Sequence, residues 1–343
     1  MDRTCRPSRC RNMLVLVVLG FAAATGPGCA TTGFDRGRAL VPTGHQARTG
    51  PFLVCTNARL EPDAPVLRQL RNLETQIGDT LGIKAEVGEN PVEIYLLDDR
   101  AAFDHFLQFH YPDLPRRRAF FLANGKQRVV YTYLGDRTEE DVRHEATHAL
   151  LHVALGDMPL WLDEGLAEYF EAAGRGAGAA GGGANPEHLD RVPADLAAGW
   201  TPDLRRLEAL KAVRQMSPRD YRESWAWVHY LLNDSRSHKA ALLAYLGDLR
   251  ANPEPVPLSD RLGHPEAAPL LAHLARIREQ PVARAAMAAP RDPTVRLQGY
   301  QGDVPAVPRT EDESVVAPGD PAQPPPPSRR KSLVGRLFGW LGP

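Results

Sequence analysis

The chain has 343 residues, 43% of them hydrophobic and 24% charged, and a formal net charge of −1. These values describe a globular protein with enough chain for one large domain or two small ones. They leave no global field to draw nucleic acid, so no nucleic-acid partner is expected.

Both ends depart from this average and stand apart from the fold. Arg3, Arg6, Arg9 and Arg11 precede the apolar run "MLVLVVLGFAAA", Met13 to Ala24. That run is short for a membrane-spanning helix and suits the core of an export signal. Gly28-Cys29 at its end resembles the bacterial lipoprotein signal, in which the cysteine becomes the lipidated first residue. The expectation is a signal peptide over 1–28, a tether over 29–49, and an exported protein of the cell envelope, held at the membrane by a lipid on Cys29 or by an uncleaved anchor. Cys5 and Cys10 would leave with the signal, and acylated Cys29 would leave Cys55 alone, so no disulfide framework is expected. The apolar neighbours of Cys55 in "PFLVCTN" predict a small buried side chain.

The domain itself is expected over 50–288. "PFLVCTN" reads as a strand, and Val66, Leu70, Leu73 and Ile77 recur near helical period in the stretch after it. "VEIYLL" (92–97) is a second strand, and "DRAAFDHFLQFH" a short helix with Phe103, Phe106 and Leu107 inward. Asn124-Gly125 between two β-rich runs predicts a hairpin. In "TEEDVRHEATHALLHVAL", Thr138 with Asp141 three residues on predicts a helix start, and Gly156 its stop. Another helix opens after Pro159, and "GRGAGAAGGGAN" is a loop without phosphate-binding context. From Pro193 onward the pattern is helical. Strands and helices followed by helices alone predict an α+β fold, with a small mixed sheet in the first half and an all-α second half around one cleft. Ten prolines from Pro290 to Pro327 mark an extended linker over 289–328. The tail, 329–343, sets Arg329, Arg330, Lys331 and Arg336 beside Leu333, Val334, Leu337, Phe338, Trp340 and Leu341, a basic amphipathic segment suited to a membrane surface or a partner.

The chemistry centres on "RHEATHALLH". Residues four apart lie on one helix face, so His144 and His148 can reach one ion. Glu145 is turned about 100° away and suits work on water rather than ligation. Two histidines do not complete a catalytic zinc site, which needs a third protein ligand. "PLWLDEGLAEYFE" offers Glu164, Glu168 and Glu171 on one helix face, opposite Leu162, Leu166, Tyr169 and Phe170. The short link from Leu155 to Leu160 can bring that helix back antiparallel to the histidines. Asp163 is a competing ligand that also suits a helix N-terminus. His152 extends the histidine row as a packed or supporting residue.

"HEATH" followed by "WLDEGLAEYFE" resembles the gluzincin metallopeptidases, in the aminopeptidase-type pattern and in the exported peptidase MA-like proteins. The spacer between His148 and Glu164 is shorter than the aminopeptidase one and fits the MA-like group. The resemblance implies a gluzincin-like catalytic domain, Zn2+ as cofactor, Glu164 as third ligand beside His144 and His148, Glu145 as general base, and Glu168 as a partner that orients a ligand histidine. It further implies that Tyr221, in "DYRESWAWVHYLLND", steadies the oxyanion, with His229 as the alternative. The expected function is hydrolysis of peptide bonds in the envelope, with a peptide or protein as substrate. The rival is a non-catalytic binding or scaffold protein on the same fold.

Overall fold

The first strand of the domain is one that the sequence hides. His45–Thr49 (β1) runs antiparallel to Phe52–Thr56 (β2) through a turn at Gly50, whose φ of 53° is left-handed. The polar "HQART" has no alternation to reveal it, so the stretch read as tether ends inside the sheet. The computed structural model describes residues 41–112, 114–174, 183–252, 254–281, 283–284 and 337–338. The expected signal peptide, Cys29, the glycine loop over 175–182, the proline-rich linker and the rest of the basic tail lie outside these residues.

The architecture is mixed α+β with a small mixed sheet in strand order β1-β2-β3-β5-β4-β6. Pro65–Leu81 (α1) connects β2 to the parallel strand Val92–Leu97 (β3). Pro65 starts α1, where its missing N–H costs nothing, and Gly82 ends it at φ 66° with its N–H on Gly78 O. Arg100–His110 (α2) then leads to the hairpin of Phe120–Asn124 (β4) and Gln127–Tyr133 (β5), with β5 parallel to β3. Asn124 pairs with Gln127, so the two turn residues are Gly125 and Lys126, one step beyond the expected pair. Gly125 alone carries the positive φ, 58°, that the turn requires. Within the expected tail, Leu337–Phe338 (β6) pairs antiparallel with Leu122 and Phe121 on the edge of β4.

Period-two alternation divides the sheet's side chains. Val54, Ile94, Leu96, Phe121 and Val130 face the main core, shared with α1. Phe120, Tyr95, Tyr131 and Tyr133 face an aromatic cluster with Phe103 and Phe106 of α2. Cys55 of β2 is buried and free, as its neighbours predict. Thr138–Leu155 (α3) packs on the main-core side against α1 and the sheet, and Leu160–Ala173 (α4) packs on α3. Pro186–Ala197 (α5), Leu204–Glu208 (α6), Pro218–Asn233 (α7), Arg236–Ala251 (α8), Leu258–Arg261 (α9) and Ala267–Glu279 (α10) form the helical second half. None of the helices among the described residues is long and apolar enough to cross a membrane.

Two helices are more enclosed than their sequences suggest. In α4 every residue from Leu160 to Ala172 is buried, because α7 covers the face opposite α3. The carboxylate row of Glu164, Glu168 and Glu171 therefore has no solvated side. α3 starts at Thr138 as the Thr138 and Asp141 pattern predicts, but without a side-chain cap. Thr138 Oγ accepts from Gly135 N at 2.8 Å and its hydroxyl reaches Tyr133 O, tying the helix to the end of β5. Asp141 is drawn instead to Arg118, which donates from Nε and Nη2 at 3.1 and 2.7 Å. A guanidinium fork offers a carboxylate two charge-assisted bonds where a backbone amide offers one.

Candidate metal centre

His144 and His148 stand one turn apart on α3, both buried. Each ring is held through Nδ1 by a carboxylate of α4: Glu171 Oε2 at 3.1 Å for His144 and Asp163 Oδ1 at 2.8 Å for His148. Each Nε2 is left pointing at Glu164, whose Oε2 lies 3.6 Å from His144 and 3.7 Å from His148. These three residues bring ligand atoms within 4.8 Å of one another and could hold a metal ion. The fit is supported by what the atoms lack: His144 Nε2 and both Glu164 oxygens are buried without a hydrogen bond. Buried polar groups are rarely left so without a function. His144, Glu168 and Glu171 also converge, but their carboxylate oxygens are engaged by imidazoles: Glu171 by His144, Glu168 by His188.

Glu145, between the histidines, is fully buried, and neither of its oxygens has a partner. Burial pushes its carboxyl up to about 7, against the pull of His144 and His148. Burial alone would push both imidazoles down. The carboxylates of Glu164 and Glu171 carry His144 well above its ordinary value, and Asp163 raises His148.

Tyr221 enters from the first turn of α7. Ser217 N and Oγ both donate to Asp220 Oδ2, and Arg206 of α6 pairs with the same carboxylate at 2.7 Å, so the start of that helix is pinned. The Tyr221 hydroxyl is buried and unpartnered. Burial and the charges of Glu164, Glu168 and Glu145 all push its ionisation upward. The distance between α4 and α7 is set by Gly165: a Cβ there would stand 2.6 Å from Ser224 O and 2.8 Å from Val228 Cγ2. The glycine beside Glu164 is thus what lets the tyrosine helix approach.

The other expected residues are engaged differently from expectation. Glu168 accepts from His188 Nε2 at 3.0 Å and from Asn185 Nδ2 at 3.3 Å, which ties α4 to the start of α5. The orienting role expected of it falls to Glu171, one further turn along α4, and to Asp163. His152 is half-buried at the end of α3, against the Phe121 ring and 4.0 Å from Asp157. His229 is turned to α10, its Nδ1 2.9 Å from His273 Nε2. The residue before the motif, Arg143, donates to Phe170 O, Gln69 O and Oε1, and Gln76 Oε1, clamping α1 and α4 to α3. Gly174 gives it room, since a Cβ there would fall 2.2 Å from Arg143 Nε.

Residues 140–255 match a family model described as "Protein of unknown function (DUF1570)". The DUF1570 match runs from the first turn of α3 to just before α9. It therefore takes in His144, Glu145, His148, Glu164 and Tyr221 and leaves out the sheet. No curated protein matches the chain.

Sequence reasoning missed one residue at the centre. Arg117 is buried, and the charges of Glu145, Tyr221 and Glu164 act on its guanidinium. In "LPRRRAFF" nothing separates it from Arg116 and Arg118.

Proposed function

We propose that the chain is a zinc-dependent peptidase of gluzincin type, with the catalytic domain of that class, acting on peptide bonds in the cell envelope. One observation carries the reading: His144 Nε2, His148 Nε2 and the Glu164 carboxylate converge, and Glu145 and the Tyr221 hydroxyl, acted on by the charge of the same carboxylate, are buried without a hydrogen-bond partner. Two imidazoles and one carboxylate are the protein ligands of catalytic zinc sites that keep an open position. Donors at about 2.0–2.1 Å from a tetrahedral ion stand about 3.4 Å apart. The separations of 3.6 and 3.7 Å suit that arrangement. Bound zinc would polarise the peptide carbonyl and lower the pKa of water to about 7.

The chain's own groups supply the rest. Glu145, with its carboxyl near 7, takes a proton from the attacking water and delivers it to the leaving nitrogen. Tyr221 keeps its proton at any working pH and donates to the carbonyl oxygen as that atom gains charge. Glu171 and Asp163 fix both rings with Nε2 inward, as ligand imidazoles require. "HEATH" with "WLDEGLAEYFE" supports the gluzincin assignment, and the export-type start with Gly28-Cys29 supports the envelope location.

Metal analysis with a peptide-library screen tests this. Glu145→Gln is expected to hold one zinc per chain and to lose hydrolysis. Cleavage at the wild-type rate by that variant would overturn the mechanism. Glu164→Ala is expected to lose the metal, and undiminished zinc content would remove Glu164 from the ligand set.

A further inference from the structure

Three arginines stand near the start of α3, Arg117 and Arg143 buried and Arg118 half-buried, and two are fully accounted for. Arg118 is paired with Asp141, and Arg143 is surrounded by carbonyl and amide oxygens. Arg117 is the exception. Its residue is 4% exposed. Its Nε donates to Pro115 O at 3.3 Å, and its Nη1 has no partner. It makes no ion pair among the described residues.

Its neighbour in sequence is anchored. Arg118 is locked onto Asp141, and its carbonyl accepts from Thr132 Oγ1 of β5 at 3.1 Å. Asp141 lies one turn before Glu145 on the same face of α3. Arg117 itself is buried with Nη1 unpartnered, and the charges of Glu145, Tyr221 and Glu164 act on its guanidinium.

A guanidinium carries five donors in a planar fork, stays protonated, and is costly to bury without an anion. The fork matches a carboxylate, which can accept two parallel bonds. Glu145 and Glu164 give it a favourable field, but neither makes an ion pair with it. A free donor edge therefore remains for a ligand that enters the site.

We propose that Arg117 receives a carboxylate of the substrate, so that the site selects peptides carrying that group close to the bond cut. This rests on the peptidase reading and gives it a substrate class. Two sources share the chemistry: the free C-terminal carboxylate, which would make the enzyme an exopeptidase working from that end, and an Asp or Glu side chain. Arg117 is a binding residue in this scheme, acting on affinity and not on the proton transfers of Glu145.

The test compares peptides identical except at the carboxylate: free acid against C-terminal amide, and Asp or Glu against Asn or Gln. Each is measured for kcat and KM with the zinc-loaded full chain, and for Kd by calorimetry with the inactive Glu145→Gln variant. Removing one side of a buried charge pair is costly, so in Arg117→Gln the KM and Kd for the preferred acid should rise by at least about thirty-fold. The values for the matching amide should stay within about twofold of wild type, and Arg117→Lys should recover part of the loss. Preference for the free acid assigns the C-terminus, and preference for Asp or Glu assigns the side chain. Zinc content and melting temperature confirm that the variant folds. If Arg117→Gln does not fold, wild type alone decides: equal KM and Kd for acid and amide in both pairs overturn the proposal. Peptides cut without carboxylate preference would end this inference and leave the peptidase reading intact. Preferential carboxylate binding without any cleavage would do the reverse.

Discussion

Asp163 and Glu171 support the candidate metal centre, each holding one of its histidines, and the contribution expected of them is measurable. Each accepts from a ligand imidazole's Nδ1 and so chooses its tautomer and tilt. Loss of such a partner typically costs ten- to a hundred-fold in metal affinity. Glu171→Gln and Asp163→Asn should each weaken zinc binding by about that range in competition with a chelator. Glu168→Gln should weaken it less, since that carboxylate is spent on His188 and Asn185. Equal losses for Glu168 and Glu171 variants would return the orienting role to Glu168. The spacing of three carboxylates at i, i+4 and i+7 puts all of them on one face. It does not say which turn of α4 meets which histidine, because that depends on how far α4 slides along α3.

At the scale of elements, the contact between α4 and α7 governs the site, and Gly165 governs the contact. Its missing Cβ admits the backbone of Ser224, one turn after Tyr221, and a carbonyl cannot step aside as a long side chain could. Gly165→Ala should destabilise the fold by about 1–3 kcal/mol, the usual cost of overpacking. It should also lower kcat, by drawing Tyr221 away from Glu164. Denaturant unfolding with steady-state kinetics would check both, and a variant as stable and as active as wild type would show that α7 is not seated on this glycine. Most helices were legible element by element, but α5 starts at Pro186 and carries Pro193 inside it, where the sequence pattern predicts helix only from Pro193 onward. Their enclosure was not: the Glu row of α4 looks like a solvated face until α7 is laid over it.

Across the whole molecule, the second half carries its own pH dependence through the His229–His273 pair joining α7 to α10. Burial, then the neighbouring His273, lowers His229 to about 3. Burial, then Arg276, lowers His273 to about 4. In the unfolded chain both take up a proton near 6.5. As pH falls from 6.5 towards 4 the unfolded state therefore binds more protons than the folded one. The pair's full contribution to stability is present above pH 6.5 and is lost through that window. The slope is at most about 1.4 kcal/mol per pH unit for each histidine. Urea unfolding between pH 7.5 and 4.5 should show the decline, and a His229→Gln/His273→Gln double variant should flatten it. An unchanged slope would place the acid sensitivity elsewhere.

What the sequence determined by itself is what repeats locally. Periods of 3.6 and 2 placed α1, β3 and α2, since one apolar face must be buried in each, and start and stop signals placed α3. The four-residue spacing of His144 and His148 put two imidazoles on one side of a helix, because helix geometry alone sets that. β1 escaped because a short polar edge strand carries no alternation and is held by its neighbour's backbone. Tertiary structure decided the rest: that Glu164 faces both Nε2 atoms, that Glu171 and Asp163 hold the rings, and that Arg117 rather than Arg116 or Arg118 reaches the centre. Those choices depend on the relative position of α3, α4, α7 and the approach to β4. That position is set by long-range contacts, by a glycine that lets two backbones meet and by a guanidinium clamped on Asp141, and none of these has a period to read along the chain.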